Sequence, residues 1–178
     1  MLVVGNTGAG KTTLASQLAD RLGATHVEMD ALWWQAGWTS SDPAVSRKRL
    51  GDAAAADRWV VCGNYHSHAF DVVWPRADTI VWLDLPLPLV LVRLVRRTIR
   101  RIRRREQLWN GNTERWSAVL TRDSLLVWAL KSHGKHRSRY PALFAGPETA
   151  HATTVRLRSP RAVQRWLADA APARTSCD

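Results

Sequence analysis

The sequence is poor in cysteine and lacks a long apolar run. Its two cysteines, Cys62 and Cys177, form no CxxC pair, which excludes a disulfide scaffold and predicts free thiols in a reducing cytoplasm. No apolar run reaches the roughly 18 residues of a membrane span, because an aspartate and two prolines interrupt the longest one, residues 79–92. We therefore expect no membrane partner. A glycine-rich loop begins at Gly5, so we expect no signal peptide.

Acidic residues are also few, and the basic excess is confined to one segment. The chain has 26 lysine and arginine residues against 15 acidic ones, a net charge of +11. Residues 93–139 carry 14 basic and three acidic residues, whereas the rest of the chain carries 12 of each. Such a segment requires an anionic partner or full solvation. Polyphosphate groups, nucleic acid and an acidic surface are the candidate partners.

Short apolar strands alternate with helices along the chain. The apolar runs predict strands at residues 2–4, 25–29, 59–62, 79–84 and 153–157. Helical spacing and proline or glycine boundaries predict helices at residues 11–22, 43–56, 86–105, 117–132 and from 159 onward. Near-continuous apolar strands between helices are typical of a parallel sheet that is covered on both faces.

The segment GNTGAGKT, from Gly5 to Thr12, matches GxxxxGK[ST] at every fixed position and lies between a predicted strand and a predicted helix. Its glycines let successive backbone amides face one anion, and the helix N-terminus adds a positive dipole end. Lys11 would reach the β- and γ-phosphates and act in catalysis, and the Thr12 hydroxyl would ligate Mg²⁺. The motif predicts ATP as the cofactor, bound by Gly5, Asn6, Thr7, Gly8, Ala9, Gly10, Lys11, Thr12 and Thr13.

Two acids are candidates for a metal site beside this loop. Asp30 follows the second predicted strand, so it should lie at the carboxyl edge of the sheet beside the phosphates. Asp84 ends the fourth predicted strand and resembles a Walker B acid, although Pro86 after it also fits a helix start. We expect Asp30 to act in metal binding, substrate binding and catalysis, with Asp84 as the alternative metal ligand.

A second group of residues is predicted to bind the substrate. The third strand runs into Gly63, where a substrate can approach the backbone, and then into Asn64 and Tyr65, which could hydrogen-bond or stack on it. A simple turn is the alternative for these three residues. Trp34 belongs to a tryptophan-rich loop at residues 31–41 that would wall the acceptor site or pack in the core.

Eight arginines occur in the thirteen residues from Arg93 to Arg105. Apolar residues of this stretch fall at i, i+3, i+7 and i+10 and form a stripe that would anchor the helix: Val92, Val95, Ile99 and Ile102. Arg93 and Arg97 share a face, and we expect them to act in catalysis by clamping nucleotide phosphates bidentately. A solvated basic face is the alternative. The arginines beyond them lead into a lid at about residues 100–125.

The order of these features resembles the P-loop small-molecule and nucleotide kinases, and most closely the adenylate-kinase-related subgroup of topology-modulation proteins. The matching segments are MDALWW at 29–34, GNY at 63–65 and RRRE through WNGNTE at 103–114. The length of the chain predicts a single domain over residues 1–178, and the resemblance extends to about residue 168. The resemblance implies a three-layer α/β P-loop NTPase sandwich with a five-stranded parallel sheet in the order 2-3-1-4-5 and a short arginine-rich lid.

The resemblance also implies a metal site, and there the chain departs from the pattern. In these kinases Mg²⁺ is held by the hydroxyl that matches Thr12 and by an acid that matches Asp30 or the position before Gly63. That last position is occupied by Cys62, and a thiol is a poor Mg²⁺ ligand. The Gly-Phe-Pro-Arg segment that adenylate kinases use for AMP is also absent.

Three functions fit these observations. The first is a cytoplasmic phosphotransferase that moves the γ-phosphoryl group of Mg·ATP to a small acceptor, a nucleotide or another hydroxyl metabolite. The second is a nucleic-acid-associated ATPase in which residues 93–139 contact phosphates. The third is a nucleotide-binding regulatory protein of the DNA topology modulation type, without turnover, which Cys62 favours. We favour the first.

Overall fold

The computed structural model of the chain describes residues 1–64, 71–119, 121 and 124–170. In these residues, five parallel strands form one sheet in the order β2-β3-β1-β4-β5. The strands are β1 (Leu2–Gly5), β2 (Thr25–Glu28), β3 (Trp59–Cys62), β4 (Thr79–Leu83) and β5 (Thr153–Leu157). The predicted α/β class and strand order are confirmed.

Helices connect these strands. They are α1 (Lys11–Leu22), α2 (Met29–Trp33), α3 (Pro43–Ala53), α4 (Leu87–Arg104), α5 (Trp116–Val119), α6 (Leu125–Phe144) and α7 (Pro160–Asp169). Where one helix was predicted at residues 117–132, the structure has two, and Ser124 caps the second through the Val127 amide. Across the described ranges, each helix is too short or too polar to span a bilayer.

The core lies on both faces of the sheet, because neighbouring residues of a strand point to opposite sides. Leu2 and Val4 of β1 pack in one cluster with Tyr140 of α6, and Val3 packs in another with Leu18 of α1. Leu18 is fully buried, and burial of such a side chain contributes about 1.5–3 kcal/mol. The central strands β1, β3 and β4 are therefore apolar and buried on both sides, as the sequence pattern predicts, whereas the edge strands β2 and β5 each have a single buried residue.

Helix α4 does not use the predicted apolar stripe, and that prediction is wrong. Three stripe residues are exposed: Val92, Val95 and Ile99. The buried positions are instead Val90, Leu94 and Thr98. The reason is the close approach of Gly8, where an added Cβ would lie 3.0 Å from the Val90 carbonyl oxygen and 3.1 Å from the Leu94 Cβ. The glycine-rich loop thus packs on this face of α4 and buries it.

Candidate functional site

A cavity of about 660 Å³ is formed by segments that follow the carboxyl ends of the strands, where open parallel sheets bind ligands. Four groups of described residues line it. The first is the loop and helix start at residues 7–14 with Gln17, and the second is Glu28 and Asp30 with Leu83. The third is the α4 arginines Arg93, Arg97, Arg100 and Arg101, and the fourth is Gln107, Leu108, Trp109, Pro160, Val163 and Gln164. The topology therefore brings distant segments to one site.

The glycine-rich loop lines one wall of this cavity. Seven of its nine predicted nucleotide-binding residues line the cavity, from Thr7 to Thr13, whereas Gly5 and Asn6 are buried and do not. The Lys11 Nζ donates to the carbonyl oxygens of Gly5 at 3.0 Å and Asn6 at 3.2 Å. Burial lowers the pKa of Lys11, and the nearby Asp30 carboxylate opposes that shift. Gly10 is the N-cap of α1 with φ of 97°, a conformation that favours glycine.

Helix α6 holds this loop through Asn6, which is 4% exposed. The Asn6 Nδ2 donates to the Ala129 carbonyl oxygen at 2.8 Å, and the Ser132 hydroxyl donates to its Oδ1 at 2.8 Å. The Thr7 amide donates to the same oxygen at 2.9 Å. Both the nitrogen and the oxygen of the buried Asn6 side-chain amide are therefore hydrogen-bonded, which the sequence motif alone does not reveal.

Two carboxylates line the cavity beside the loop, and only one was predicted. Strand β2 ends at Glu28, so Asp30 lies in the first turn of α2 rather than at the strand end. Glu28 also lines the cavity, and its Oε2 accepts a hydrogen bond from the Trp109 Nε1 at 3.1 Å. The sequence did contain a signal for Glu28, namely that an acidic residue lies only two positions before Asp30.

Cys62, which replaces the acid expected from the resemblance, contacts the Thr12 hydroxyl. Its Sγ lies 3.8 Å from the Thr12 Oγ1 and 3.7 Å from the His26 Nε2. Burial raises the pKa of the Cys62 thiol to about 12, although the hydrogen bond to Thr12 lowers it in part. The group in this position is thus a neutral thiol at physiological pH.

Asp84, the alternative metal ligand, does not line the cavity. Its buried carboxylate accepts hydrogen bonds from the Arg137 Nε at 2.7 Å and the Arg156 Nη2 at 2.6 Å, and Arg158 lies 3.9 Å away. The Arg156 guanidinium also lies 4.2 Å from the Trp82 ring centroid. Through these contacts Asp84 links the end of β4 to β5 and α6.

One face of α4 places its arginines against the cavity. Arg93 donates to the Ala9 carbonyl oxygen at 3.3 Å, which brings it to the glycine-rich loop. Arg101 pairs with Glu114 at 2.9 Å. The Arg97 Nε is buried and has no hydrogen-bond partner among the described residues. Burial, followed by the positive charge of Arg101, lowers the pKa of Arg97.

Arg93 and Arg97 therefore line the same cavity as the predicted loop, and Arg93 also contacts that loop. Arg100 and Arg101 line the cavity too, although they were not predicted for this site. The spacing of 93, 97 and 101 at i, i+4 and i+8 was the signal for a third arginine on this face. Their predicted roles in phosphate binding stay predictions.

Two short segments, 34–40 and 107–113, bind each other next to the cavity, and we call this pair the latch. Each segment is closed by its own antiparallel bridge. Asn112 joins them, because it accepts from the Trp38 amide at 2.9 Å and donates to the Gln35 carbonyl oxygen at 2.8 Å. Trp34 packs edge-on against Trp38 and does not line the cavity, whereas Trp109 does.

Gly63 and Asn64, the described residues directly after β3, do not line the cavity. A Cβ on Gly63 would lie 2.7 Å from the Met29 Cβ, so the glycine is needed for packing against α2. Asn64 hydrogen-bonds to Gly5 rather than facing the cavity. Tyr65 lies outside the described residues. The substrate role of Gly63, Asn64 and Tyr65 stays a prediction.

Solved structures resemble this fold over nearly its whole length. A gluconokinase from Sinorhizobium meliloti is 19% identical with a TM-score of 0.51, over 96% of this chain and 91% of that chain. A shikimate kinase from Bacteroides thetaiotaomicron is 16% identical with a TM-score of 0.52, over 94% of this chain and 93% of that chain. No protein-family model matches the sequence, and no curated protein is significantly similar to it.

At these identities the comparisons establish a shared fold. The predicted α/β architecture, with five parallel strands in the order 2-3-1-4-5, is therefore confirmed. The adenylate-kinase-related subgroup is not confirmed and stays a prediction.

Proposed function

We propose that this chain is a Mg·ATP-dependent kinase that transfers the γ-phosphoryl group to a hydroxyl group of a small acceptor, a nucleotide or another metabolite. One observation carries the proposal: a single cavity is lined by the glycine-rich loop, by Asp30 and by Arg93 and Arg97. These are the parts that phosphoryl transfer requires, namely a phosphate cradle, a group that orients the nucleophile, and cations for the transferred charge. Two proteins that share the fold are named as kinases.

The cradle fits a nucleoside triphosphate. Lys11 is held by two carbonyl oxygens of the loop, from which its ammonium group can move to phosphate oxygens. Arg93 lies against the loop at Ala9, and the N-terminus of α1 adds its positive dipole end. Pro160 and Val163 of α7 line the same cavity and offer an apolar wall for the base.

The donor set also fits Mg²⁺. In the described part of the chain no group of three or more histidine, cysteine or acidic side chains could hold a metal ion by itself. Mg²⁺ is usually bound by one or two carboxylates together with substrate phosphates and water. Thr12 would hold it with Asp30, and Glu28 lies close by. When bound, Mg²⁺ neutralises charge on the phosphate oxygens.

The protein's own groups would divide the remaining work. Asp30 would orient the acceptor hydroxyl and accept its proton. Arg97, whose Nε lacks a partner in the described structure, would stabilise the charge on the transferred group. Trp109 of the latch lines the cavity and would limit the access of water to the transferred group.

The proposal is tested first by calorimetry with the non-hydrolysable analogue AMP-PNP and Mg²⁺. We expect wild-type protein to bind it and Lys11→Ala to lose at least about tenfold in affinity, because a phosphate-binding cation is removed. An ADP-release screen with Mg·ATP against nucleoside monophosphates, nucleosides, sugars and small hydroxy acids then identifies the acceptor. Wild-type protein that binds no analogue would refute the proposal.

Asp30→Asn separates chemistry from binding. Turnover with the acceptor should fall by about 10²–10⁴-fold, since general base catalysis is lost, while the affinity for AMP-PNP with Mg²⁺ should fall by a smaller factor, because the loss of one Mg²⁺ ligand leaves the phosphate contacts of the loop in place. Asp20→Asn is the matched control, because it removes an exposed carboxylate of α1 that lies outside the cavity lining. Equal turnover in the two variants would contradict the role of Asp30.

A further inference from the structure

Asn64 continues the pairing of β1 and β3 with its side chain. The last register pair joins Val3 to Cys62, and the Gly63 amide then donates to the Val3 carbonyl oxygen at 3.2 Å. One step further, the Gly5 amide donates to the Asn64 Oδ1 at 3.1 Å, and the Asn64 Nδ2 donates to the Gly5 carbonyl oxygen at 2.6 Å. The primary amide therefore occupies the place of a strand partner at the first residue of the phosphate loop.

The Gly5 carbonyl oxygen is shared between two donors. It accepts from the Asn64 Nδ2 and also from the Lys11 Nζ, at 3.0 Å. The second carbonyl that holds Lys11, that of Asn6, also accepts from the Ala9 amide at 3.1 Å. Each carbonyl oxygen that would lose Lys11 thus keeps another hydrogen-bond donor.

This sharing matters because Gly5 is buried. A buried carbonyl oxygen that loses its only hydrogen bond is strongly disfavoured. With Asn64 in place, the Lys11 ammonium can leave the loop without leaving the Gly5 oxygen unpaired. Tyr140 of α6 fixes the amide, since its hydroxyl donates to the Asn64 Oδ1 at 3.1 Å.

We infer that Asn64 is a positioning residue that acts through Lys11: it keeps the Gly5 carbonyl oxygen hydrogen-bonded, so that Lys11 is free to move onto nucleotide phosphates. The inference rests on the proposed nucleotide binding. It assigns Asn64 a role at the phosphate loop and not in acceptor binding.

A double-mutant cycle in full-length protein tests this role, with AMP-PNP and Mg²⁺ as the probe in calorimetry. Asn64→Ala should weaken binding by about tenfold when Lys11 is present, since Lys11 must then abandon an otherwise unpaired carbonyl. In a Lys11→Met background the same substitution should change affinity by less than about twofold, because the Gly5 oxygen then has no lysine to lose.

Two further variants keep the test decisive. Asn64→Asp preserves the acceptor for the Gly5 amide and the Tyr140 hydroxyl but places a carboxylate near Lys11, so its loss of affinity should exceed that of Asn64→Ala. With Lys11→Met the loss should become several-fold smaller, and the remainder is the repulsion between the carboxylate and the nucleotide phosphates. Asn64→Asp carries the test if Asn64→Ala fails to fold. Ser132→Ala is the control for structural loosening, because it removes a contact to Asn6 and leaves both Lys11 acceptors in place. Its effect should be equal in both backgrounds.

The outcomes separate the inference from the proposal on which it rests. If wild-type protein does not bind AMP-PNP, the proposed function is refuted, and the inference is refuted as well because it requires nucleotide binding. If wild-type protein binds but the Asn64 variants bind equally well, or lose the same factor with and without Lys11, then Asn64 has no action through Lys11 and the inference is overturned.

Discussion

Cys62 lies at the end of β3 in contact with the Thr12 hydroxyl and the His26 ring, and its environment sets a dependence of stability on pH. Burial raises the pKa of its thiol from 9.0 to about 12. Between these values the unfolded chain releases the thiol proton and the folded chain retains it. The stabilising contribution is therefore complete below about pH 9 and is lost as the pH rises toward 12.

We expect Cys62→Ala to flatten this alkaline loss of stability. The free energy of unfolding of the parent protein should fall more steeply than that of the variant above about pH 9, by at most about 1.4 kcal/mol per pH unit for one proton. Urea unfolding at a series of pH values measures the two slopes, with Cys177→Ser in both proteins to remove the second thiol. Parallel slopes would show that the Cys62 thiol ionises equally in both states.

At the scale of elements, the three central strands β1, β3 and β4 were predictable because each is a short apolar run that is buried on both faces, whereas the edge strands β2 and β5 each have a single buried residue. Strand β3 has the predicted bounds, and β4 ends one residue earlier than expected. Helix α4 was predictable as an element but not in its orientation, since the close packing of Gly8 decides which face is buried. The contact between Glu28 and Trp109 escaped prediction because it joins positions 81 residues apart, which no local pattern encodes.

The latch is such a long-range element, and Asn112 holds it. Asn112 is 4% exposed and makes hydrogen bonds to Trp38, Gln35 and Trp109. Asn112→Ala leaves these backbone groups without the amide, so we expect a loss of about 1–3 kcal/mol in the free energy of latch opening. Hydrogen exchange should accelerate in residues 34–40 and 107–113 and remain unchanged in β1 and β4.

Gln107→Ala is the control for this experiment, because Gln107 belongs to the same segment and its exposed side chain makes none of the hydrogen bonds that join the two segments. Exchange in the latch should stay close to that of the parent protein. Uniform acceleration across the sheet in Asn112→Ala, or no acceleration at all, would show that Asn112 does not hold the two segments together.

At the scale of the whole molecule, the arginines of α4 that contribute to the net charge of +11 lie in two different places. Some of the arginines of α4 line the cavity, and Arg101 is paired there with Glu114. Others are exposed and do not line it: Arg96, Arg103 and Arg104. The cavity arginines serve the proposed phosphate chemistry, whereas the exposed ones attract any polyanion without reading its sequence. Affinity for nucleic acid and turnover of ATP should therefore be separable.

We expect duplex DNA to bind weakly at about 50 mM salt and to dissociate as salt rises to about 200 mM, because phosphate contacts release counterions. Replacement of Arg96, Arg103 and Arg104 by alanine should lower the slope of log affinity against log salt by up to about three, while AMP-PNP affinity stays within about twofold. DNA should leave ADP release unchanged in both proteins. If DNA instead stimulates ADP release, and the triple variant loses that stimulation, then the exposed arginines belong to the catalytic cycle and a nucleic-acid-associated ATPase replaces the small-molecule kinase.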